Sequence, residues 1–316
     1  MKKYIIKRIL PQISPTIEEY RKKAVNPKRI EGGLSTRDAC SLASHGGGPR
    51  VTIITIVYNG REHIEQTIQS VLDQSYGNIE YIIVDGGSTD GTLDIIRKYN
   101  NRIAYWISEP DRGISDAFNK GIAVSTGQIV GLVNSDDWMS QDQVEQGARA
   151  LWSSSADFVF GDLVMHDSHG ALKHVLHGDP LYEKRIASKM PELNHPTVLV
   201  KRSTYERIGT FSTEFRYAMD YEWMLRLYKS GGVGLYVGAI MGHMRESGIS
   251  HRMFIRSLRE VRRIAIHYGQ SAIAAYCLYI YRVIKGTSRR ALEQWLSRSL
   301  YQKIRGIVNP RYSSGS

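Results

Sequence analysis

Between Val51 and Val133 the chain alternates short unbroken apolar runs with longer stretches in which apolar residues recur every three or four positions. Val51–Tyr58 (VTIITIVY), Glu80–Val84, Ala104–Ile107 and Gln128–Val133 are continuous and rich in β-branched residues, which predicts strands buried on both faces. Between them, Ile64, Ile68, Val71 and Leu72, then Leu93, Ile96 and Tyr99, then the segment Ile114–Val124 keep helical spacing. Strand, helix, strand, helix at such short intervals predicts an α/β fold with right-handed crossovers and a mostly parallel sheet. Further on, the pattern predicts a helix through Val144 and Leu151 and a strand at Phe158–Phe160. A His- and Gly-rich stretch runs to about Lys189, followed by a strand at Thr197–Val200 and a helix from Asp220 to Lys229. From Arg252 to Arg305 the text is helical and basic, with a less polar centre at Ile264–Ile284. Residues 1–49 read as a basic extension, because Pro11, Pro15, Pro27 and the glycines before Pro49 break regular structure; a short helix fits around Ile17–Lys23. The expected organisation is therefore an extension (1–49), one catalytic-sized domain (50–250) and C-terminal basic helices (251–316).

Composition changes this picture little: 42% hydrophobic and 23% charged residues describe an ordinary globular chain. Charge changes it more. The net value of +11 suggests a polyanionic partner until it is divided along the 316 residues. Residues 1–50 carry 11 basic and 4 acidic side chains, 51–250 carry 18 and 25, and 251–316 carry 13 and 2, or +7, −7 and +11. The centre is acidic, so the excess belongs to the flanks and gives no ground for nucleic acid in the chemistry. Two distant cysteines, Cys40 and Cys277, exclude a disulfide framework or a zinc finger and fit a reducing compartment. The basic start has too little apolar sequence for a signal peptide, and no run of uncharged apolar residues is long enough for a clean spanning helix.

In an open parallel sheet, ligands bind beyond the carboxyl ends of the strands. There the sequence puts Asp85 after the second strand and Asp136 and Asp137 after the fourth. No G-x-G-x-x-G follows the first strand and no G-x-x-x-x-G-K-[ST] occurs, which disfavours a dinucleotide dehydrogenase and a P-loop NTPase. What the sheet offers a phosphate is carboxylates, and carboxylates accept a diphosphate only with a divalent cation between them. Asp90 suits a helix cap better than a ligand role.

The blocks VTIITIVYNGREHIEQTIQSVLDQSYGNIEYIIVDGGSTDGT, EPDRGISDAFNKGI and GQIVGLVNSDDW, in that order, resemble glycosyltransferase family 2, and among its members those that build bacterial O-antigen, capsule or exopolysaccharide. The resemblance covers roughly residues 50–250 and implies a GT-A fold and an inverting, metal-dependent sugar transferase. It implies a nucleotide site at Asp85, with Tyr58 stacking and Asn59, Asp111, Lys120 and Asp136 nearby. The family's second carboxylate after Asp85 is absent, since Gly86 stands there. It further implies Mn2+ or Mg2+ on Asp136 and Asp137, with His243 completing the shell; Asn134 replaces the first Asp of the family's metal motif. An acidic pair at a helix start, downstream of Gly209-Thr210-Phe211, matches the family's catalytic base. Asp220 is the first choice and Glu222 the second, with Trp223 and His195 toward the acceptor. His166, His169, His174 and His177 are spaced too loosely for a metal site.

The expected partners are a UDP-, GDP- or dTDP-linked sugar donor, a saccharide or polyprenyl-diphosphate-linked acceptor, and an anionic membrane surface. The tyrosines at 268, 276, 279 and 281 suit an interfacial helix, and arginines at 252, 256, 259, 262, 263, 289 and 290 flank it. That places the protein at the inner face of the cytoplasmic membrane as a peripheral protein. Two other readings stand beside this one: a nucleic-acid-binding protein using the basic tail, and a domain that binds nucleotide sugar without turnover.

Overall fold

The computed structural model describes residues 14–22, 26–36, 47–187, 190–246 and 253–295. Pro11, Lys23, Cys40, Arg252 and the tail beyond 295 lie outside these residues, as do the side chains of Arg289 and Arg290.

The strand at the centre of the sheet is β2 (Val51–Val57), buried along its whole length. It pairs in parallel with β3 (Ile79–Asp85) on one side and β5 (Ile129–Asn134) on the other, and β4 (Tyr105–Ser108) extends the parallel set beyond β3. Because side chains alternate across a strand, each central strand feeds two cores. Ile54, Ile56, Ile82 and Val84 pack with Phe118 and Ile122 on one face; Val51, Ile53, Val57 and Ile83 pack with Ile64, Ile68 and Val71 on the other. The helices between the strands are α2 (Ile64–Leu72), α3 (Thr92–Lys98) and α4 (Ile114–Val124). Gly121 lets α4 lie close on β2, since a Cβ there would stand 2.4 Å from Ile54 Cγ2. The predicted α/β crossovers are thus present, with boundaries shifted by one or two residues.

The second half of the sheet departs from the sequence expectation. The helix expected through Val144 and Leu151 is α5 (Gln143–Trp152). β7 runs over Phe158–His166, well past Phe160, and the stretch after it contains β8 (Leu172–Leu176), antiparallel to β7. The predicted strand at 197–200 is a helical turn, His195–Thr197, followed by short β9 (Leu199–Lys201) and α6 (Arg202–Ile208). A twelve-residue strand, β10 (Gly234–Arg245), lies parallel to β7 and also pairs with β6 (Trp138–Met139). Glycines interrupt its apolar pattern because the packing needs them: a Cβ on Gly234 would meet Phe158 Cζ at 2.2 Å. β5 and β7 are joined through antiparallel β9, so the ten-stranded sheet holds two parallel sets, β4-β3-β2-β5 and β7-β10, linked by an antiparallel strand and bordered by antiparallel β1 and β6.

The described parts of both flanks are built into this body. In the N-terminal part, α1 (Ile17–Lys22) buries Ile17 and Tyr20 in the first core, and Tyr20 donates to Asp116 Oδ1 at 2.7 Å. β1 (Ile30–Gly32) forms the sheet edge beside β4. The boundary expected at 49/50 therefore does not separate an extension from a domain: β4 leaves an open edge that three residues of chain can pair. At the other end, after α7 (Met219–Lys229), come α8 (Phe254–His267) and α9 (Ala272–Trp295). α8 buries Leu258, Val261, Ile264 and Ala265, so it too belongs to the domain's packing. Among the described residues no helix is long and apolar enough to cross a membrane.

Candidate active site

β2, β3 and β4 end side by side, with Val57 opposite Asp85 and Asp85 opposite Ser108. Asp85 is fully buried there; its Oδ2 accepts from the Ser88 N–H at 3.1 Å and from the Ser108 hydroxyl at 2.5 Å, and its Oδ1 accepts from the Ser88 hydroxyl. Asn59 follows β2 with φ 51°, and its Oδ1 accepts from the Thr89 N–H at 2.9 Å while its own N–H donates to Ser88 Oγ at 2.8 Å. Asn59 thus ties the β2 loop to the turn after β3, a positioning contact. Asp90 is the expected cap: its carboxylate accepts from the Thr92 and Arg61 N–H groups, which hold it below the usual range against the effect of desolvation.

Tyr58 and Asp111 meet at a notch left by Gly86. The Tyr58 ring is 67% exposed. A Cβ on Gly86 would stand 2.5 Å from Asp111 Oδ2 and 3.4 Å from Tyr58 Cδ2, so the Asp111 carboxylate fills the space beside position 86. Its Oδ1 accepts from the Gly113 N–H at 2.7 Å, and no hydrogen bond among the described residues reaches Oδ2. Burial pushes its pKa up, with Asp116 and Asp85 adding and Lys120 opposing. Gly86→Ala is expected to displace this carboxylate and weaken nucleotide binding by about tenfold, the loss of one charged hydrogen bond, with little change in melting temperature. Titration calorimetry with the nucleotide that binds checks it.

Lys120 neither points to solvent nor stands free for a phosphate. Its ammonium is 2.9 Å from Glu109 Oε1 and 3.7 Å from Asp116 Oδ2, and donates to the Pro110 carbonyl at 3.1 Å. Arg29 from the N-terminal segment completes the group with two bonds to Glu109 at 2.9 and 3.1 Å. Burial opposes the Glu109 charge, but Arg29 and Lys120 hold its pKa below the ordinary carboxylate value. Lys120 is thereby a structural cation beneath the Asp111 loop.

At the end of β5, Asp136 and Asp137 part company. The Asp136 carboxylate has no hydrogen-bond partner among the described residues, while its carbonyl accepts from Arg245 Nη1 at 2.8 Å. Asp137 is 1% exposed; Asn134 donates to Oδ2 at 3.1 Å, and Oδ1 is buried without a partner. Burial, with the Asp136 charge beside it, pushes Asp137 well above the usual range. A buried carboxylate oxygen with no donor is the kind of atom a hard cation would satisfy. Two carboxylates and an oxygen-rich diphosphate form a suitable donor set, so the residues fit a divalent ion.

His243 does not join them. Its ring lies flat on Trp138, centroids 5.1 Å apart, with Nδ1 3.1 Å from His166 Nε2 and Nε2 3.4 Å from Ser140 Oγ. Burial lowers its pKa to about 4, with His166 adding, so it is neutral. Among the described residues no group of three or more His, Cys, Asp and Glu could hold a metal, so Asp136, Asp137 and His243 do not form a closed site. The reason is the sheet register: His243 pairs with Trp138, and its ring is committed to that aromatic stack.

The acidic pair on α7 is divided by the helix itself. Asp220 and His195 line one cavity, walled by Leu132, Val198, Phe211 and Met224. Burial raises the Asp220 pKa against the pull of His195, and burial lowers that of His195. Glu222, two residues on, is fully buried on the other side. Arg226 Nε and Nη2 donate to its two oxygens at 3.0 and 2.9 Å, and Tyr268 from the end of α8 donates to Oε1 at 2.6 Å. Arg226 is itself held by the carbonyls of Ile208 and Thr210. Glu222 is therefore corrected to a structural ion pair. Trp223 is 1% exposed, stacks near Tyr205 and Phe211, and donates from Nε1 to the Gly209 carbonyl at 3.0 Å. Trp223 is one of the residues lining the cavity, and its polar atom is committed to Gly209.

Two participants have no signal in the sequence. Glu260 on α8 accepts from the N–H groups of Arg216, Tyr217 and Ala218 at 3.1, 2.7 and 2.9 Å, holding the entry to α7. Arg245 lies over the Trp138 ring at 4.6 Å while it holds the Asp136 carbonyl. Each sits among other charged residues of its segment, and no spacing marks it out from them.

With this geometry in place, the chain can be set beside known proteins. Residues 52–216 match the family Glycosyl transferase family 2. A putative teichuronic acid biosynthesis glycosyltransferase, TuaG of Bacillus subtilis, is 34% identical over 188 residues, covering 58% of this chain and 73% of that protein. Glycosyltransferase GlyA of Streptococcus pneumoniae is 28% identical over 272 residues, 83% of this chain but 35% of the larger protein. In fold, the chain resembles S. aureus TarS 1-349 in complex with UDP-GlcNAc (TM-score 0.53, 17% identity, 72% of this chain and 69% of that one). It also resembles the mannosyltransferase PcManGT from Pyrobaculum calidifontis in complex with GDP-Man and Mn2+ (TM-score 0.55, 17% identity, 98% and 90%).

Proposed function

The chain belongs to glycosyl transferase family 2, and from that premise we propose that it moves one sugar, with inversion, from a nucleoside-diphosphate donor to a saccharide acceptor of the cell surface. The observation that carries the reading is the shared cavity of Asp220 and His195, which gives a carboxylate partly withdrawn from water a position beside a ring able to bind an acceptor hydroxyl. Asp220 takes the hydroxyl proton as that oxygen attacks the anomeric carbon; the bond from that carbon to the diphosphate oxygen breaks, and the nucleoside diphosphate leaves. Asp85, Asp111 and exposed Tyr58 would receive the nucleotide at the ends of β2 and β3. Asp136 and Asp137 would hold Mn2+ or Mg2+, which when bound offsets the charge of the leaving diphosphate as a Lewis acid.

The named relative in teichuronic acid synthesis and the nucleotide sugars in the two structural neighbours support a surface-polysaccharide role and a UDP- or GDP-linked donor. A polyprenyl-diphosphate-linked saccharide is the acceptor we infer, met at the inner face of the cytoplasmic membrane. A thermal-shift panel of UDP, GDP, dTDP and CMP, each with and without Mn2+, tests the donor half. A metal-dependent rise with one nucleotide is expected and names the base; no rise with any of them overturns the reading.

A further inference from the structure

Among the described residues, helix α9 leaves one face uncovered. Ile273, Tyr276, Ile280, Tyr281 and Ile284 fall on one helical stripe and are 48–79% exposed, with exposed Cys277 among them. On the inner side Ala275 is buried, and the Arg262 guanidinium of α8 sits over the rings of Tyr276 and Tyr279 at 4.1 and 5.0 Å. Taken together, helices α8 and α9 are cationic. Residues 253–288 hold six Lys and Arg and a single acid, Glu260, whose carboxylate is taken up by backbone N–H groups before α7. Arg256, Arg259, Arg263 and Lys285 are exposed.

We propose that this face of α9 is a docking surface for an anionic lipid bilayer, on which the helix lies in the plane of the interface. It deepens the reading above, because an acceptor on a lipid carrier has to be met at such a surface. Branched aliphatic side chains would enter the acyl boundary, and tyrosines would sit at headgroup depth. Lys285, whose ammonium lies 5.8 Å from the centre of the Tyr281 ring, would meet anionic headgroups at the edge of the stripe, and the exposed arginines of α8 add to the positive charge of the same helix pair. A second copy of this chain fits less well. A two-fold interface would set the cationic helix pairs of both copies against each other.

The geometry also fixes what docking would do for the reaction. α8, the partner of α9, grips α7 twice, through Glu260 at its entry and Tyr268 on Glu222. A bilayer under α9 would then stand at a constant place relative to Asp220. On the same helix, Arg282 is half-buried with neither a hydrogen bond nor an ion pair among the described residues, facing Tyr221 and Glu192. A guanidinium within the electrostatic reach of Glu192 and Tyr221 therefore stands on the side of α9 that faces α7.

Sedimentation of the full chain with vesicles of phosphatidylcholine, and of phosphatidylcholine mixed with phosphatidylglycerol, tests this. Binding to the anionic vesicles is expected, falling with added salt and at least tenfold in the double variant Ile280→Glu with Ile284→Glu; the pair Ile280→Leu with Ile284→Leu keeps it. Binding that ignores lipid charge, binding unchanged in the glutamate variant, or no binding overturns the proposal. So does a dimer in velocity sedimentation that the glutamate variant dissociates. Nucleotide thermal shift on the same variants reads the donor site alone. An intact shift with lost vesicle binding keeps the transferase reading apart from the docking surface.

Discussion

Replacing Asp220 with asparagine is expected to lower the transfer rate by about 10²–10⁴-fold, the usual contribution of a positioned general base, while the protein folds as well as before or better. The stability half follows from the direction of the shift. Burial raises the folded pKa of Asp220 above its unfolded value, so its contribution is fully present at low pH and is lost as pH rises through the folded pKa. At neutral pH the ionised carboxylate is then a cost, and asparagine removes it. The same shift gives the wild-type rate an acid limb: activity falls as pH drops through a pKa higher than that of an ordinary aspartate. Steady-state rates against pH, with melting curves of both proteins, check the two halves together. A variant that loses activity because it unfolds would assign Asp220 a structural role.

The second large effect is the reverse case. Glu222→Ala is expected to cost about 3–5 kcal/mol of stability, because it strands the Arg226 guanidinium, 2% exposed, without its counter-charge. Tyr268 loses its acceptor in the same step. Denaturant unfolding measures the loss, and Glu222→Gln separates charge from shape. With Glu222 in a structural pair, the Gln variant loses stability but keeps most of its turnover at low temperature. If Glu222 were the base, the Gln variant would be stable and inactive. The two substitutions, two residues apart, are thus expected to have opposite signatures.

That opposition shows where the sequence stops being legible. Ile79–Asp85 and Ile129–Asn134 are readable as buried strands because a β-branched run cannot satisfy its side chains elsewhere, and the acids that end or follow them must emerge at the sheet's ligand edge. The positions of Asp85, Asp136 and Asp137 were accessible by that logic alone. Lys120 was not, since its direction depends on Glu109, which is itself held by Arg29 from a distant segment. His243 was not, since strand β10 carries glycines where a strand pattern would show apolar residues, and the need for the first of them, Gly234, lies in Phe158 packed against it. The N-terminal residues read as an extension because a three-residue edge strand has too little pattern to announce itself; the free edge of β4 makes it a strand.

From the sequence alone came the family, the alternation of strands and helices, and the acidic positions at the strand ends, all of which are local properties of a run and its period. Tertiary structure decided the direction each acid faces. At 3.6 residues per turn, Asp220 and Glu222 are about 200° apart on α7. One side of that helix meets the cavity with His195, and the other meets Arg226 and Tyr268. Which side is which depends on α6 and α8 packing around it, a contact between distant parts of the chain that no local pattern encodes.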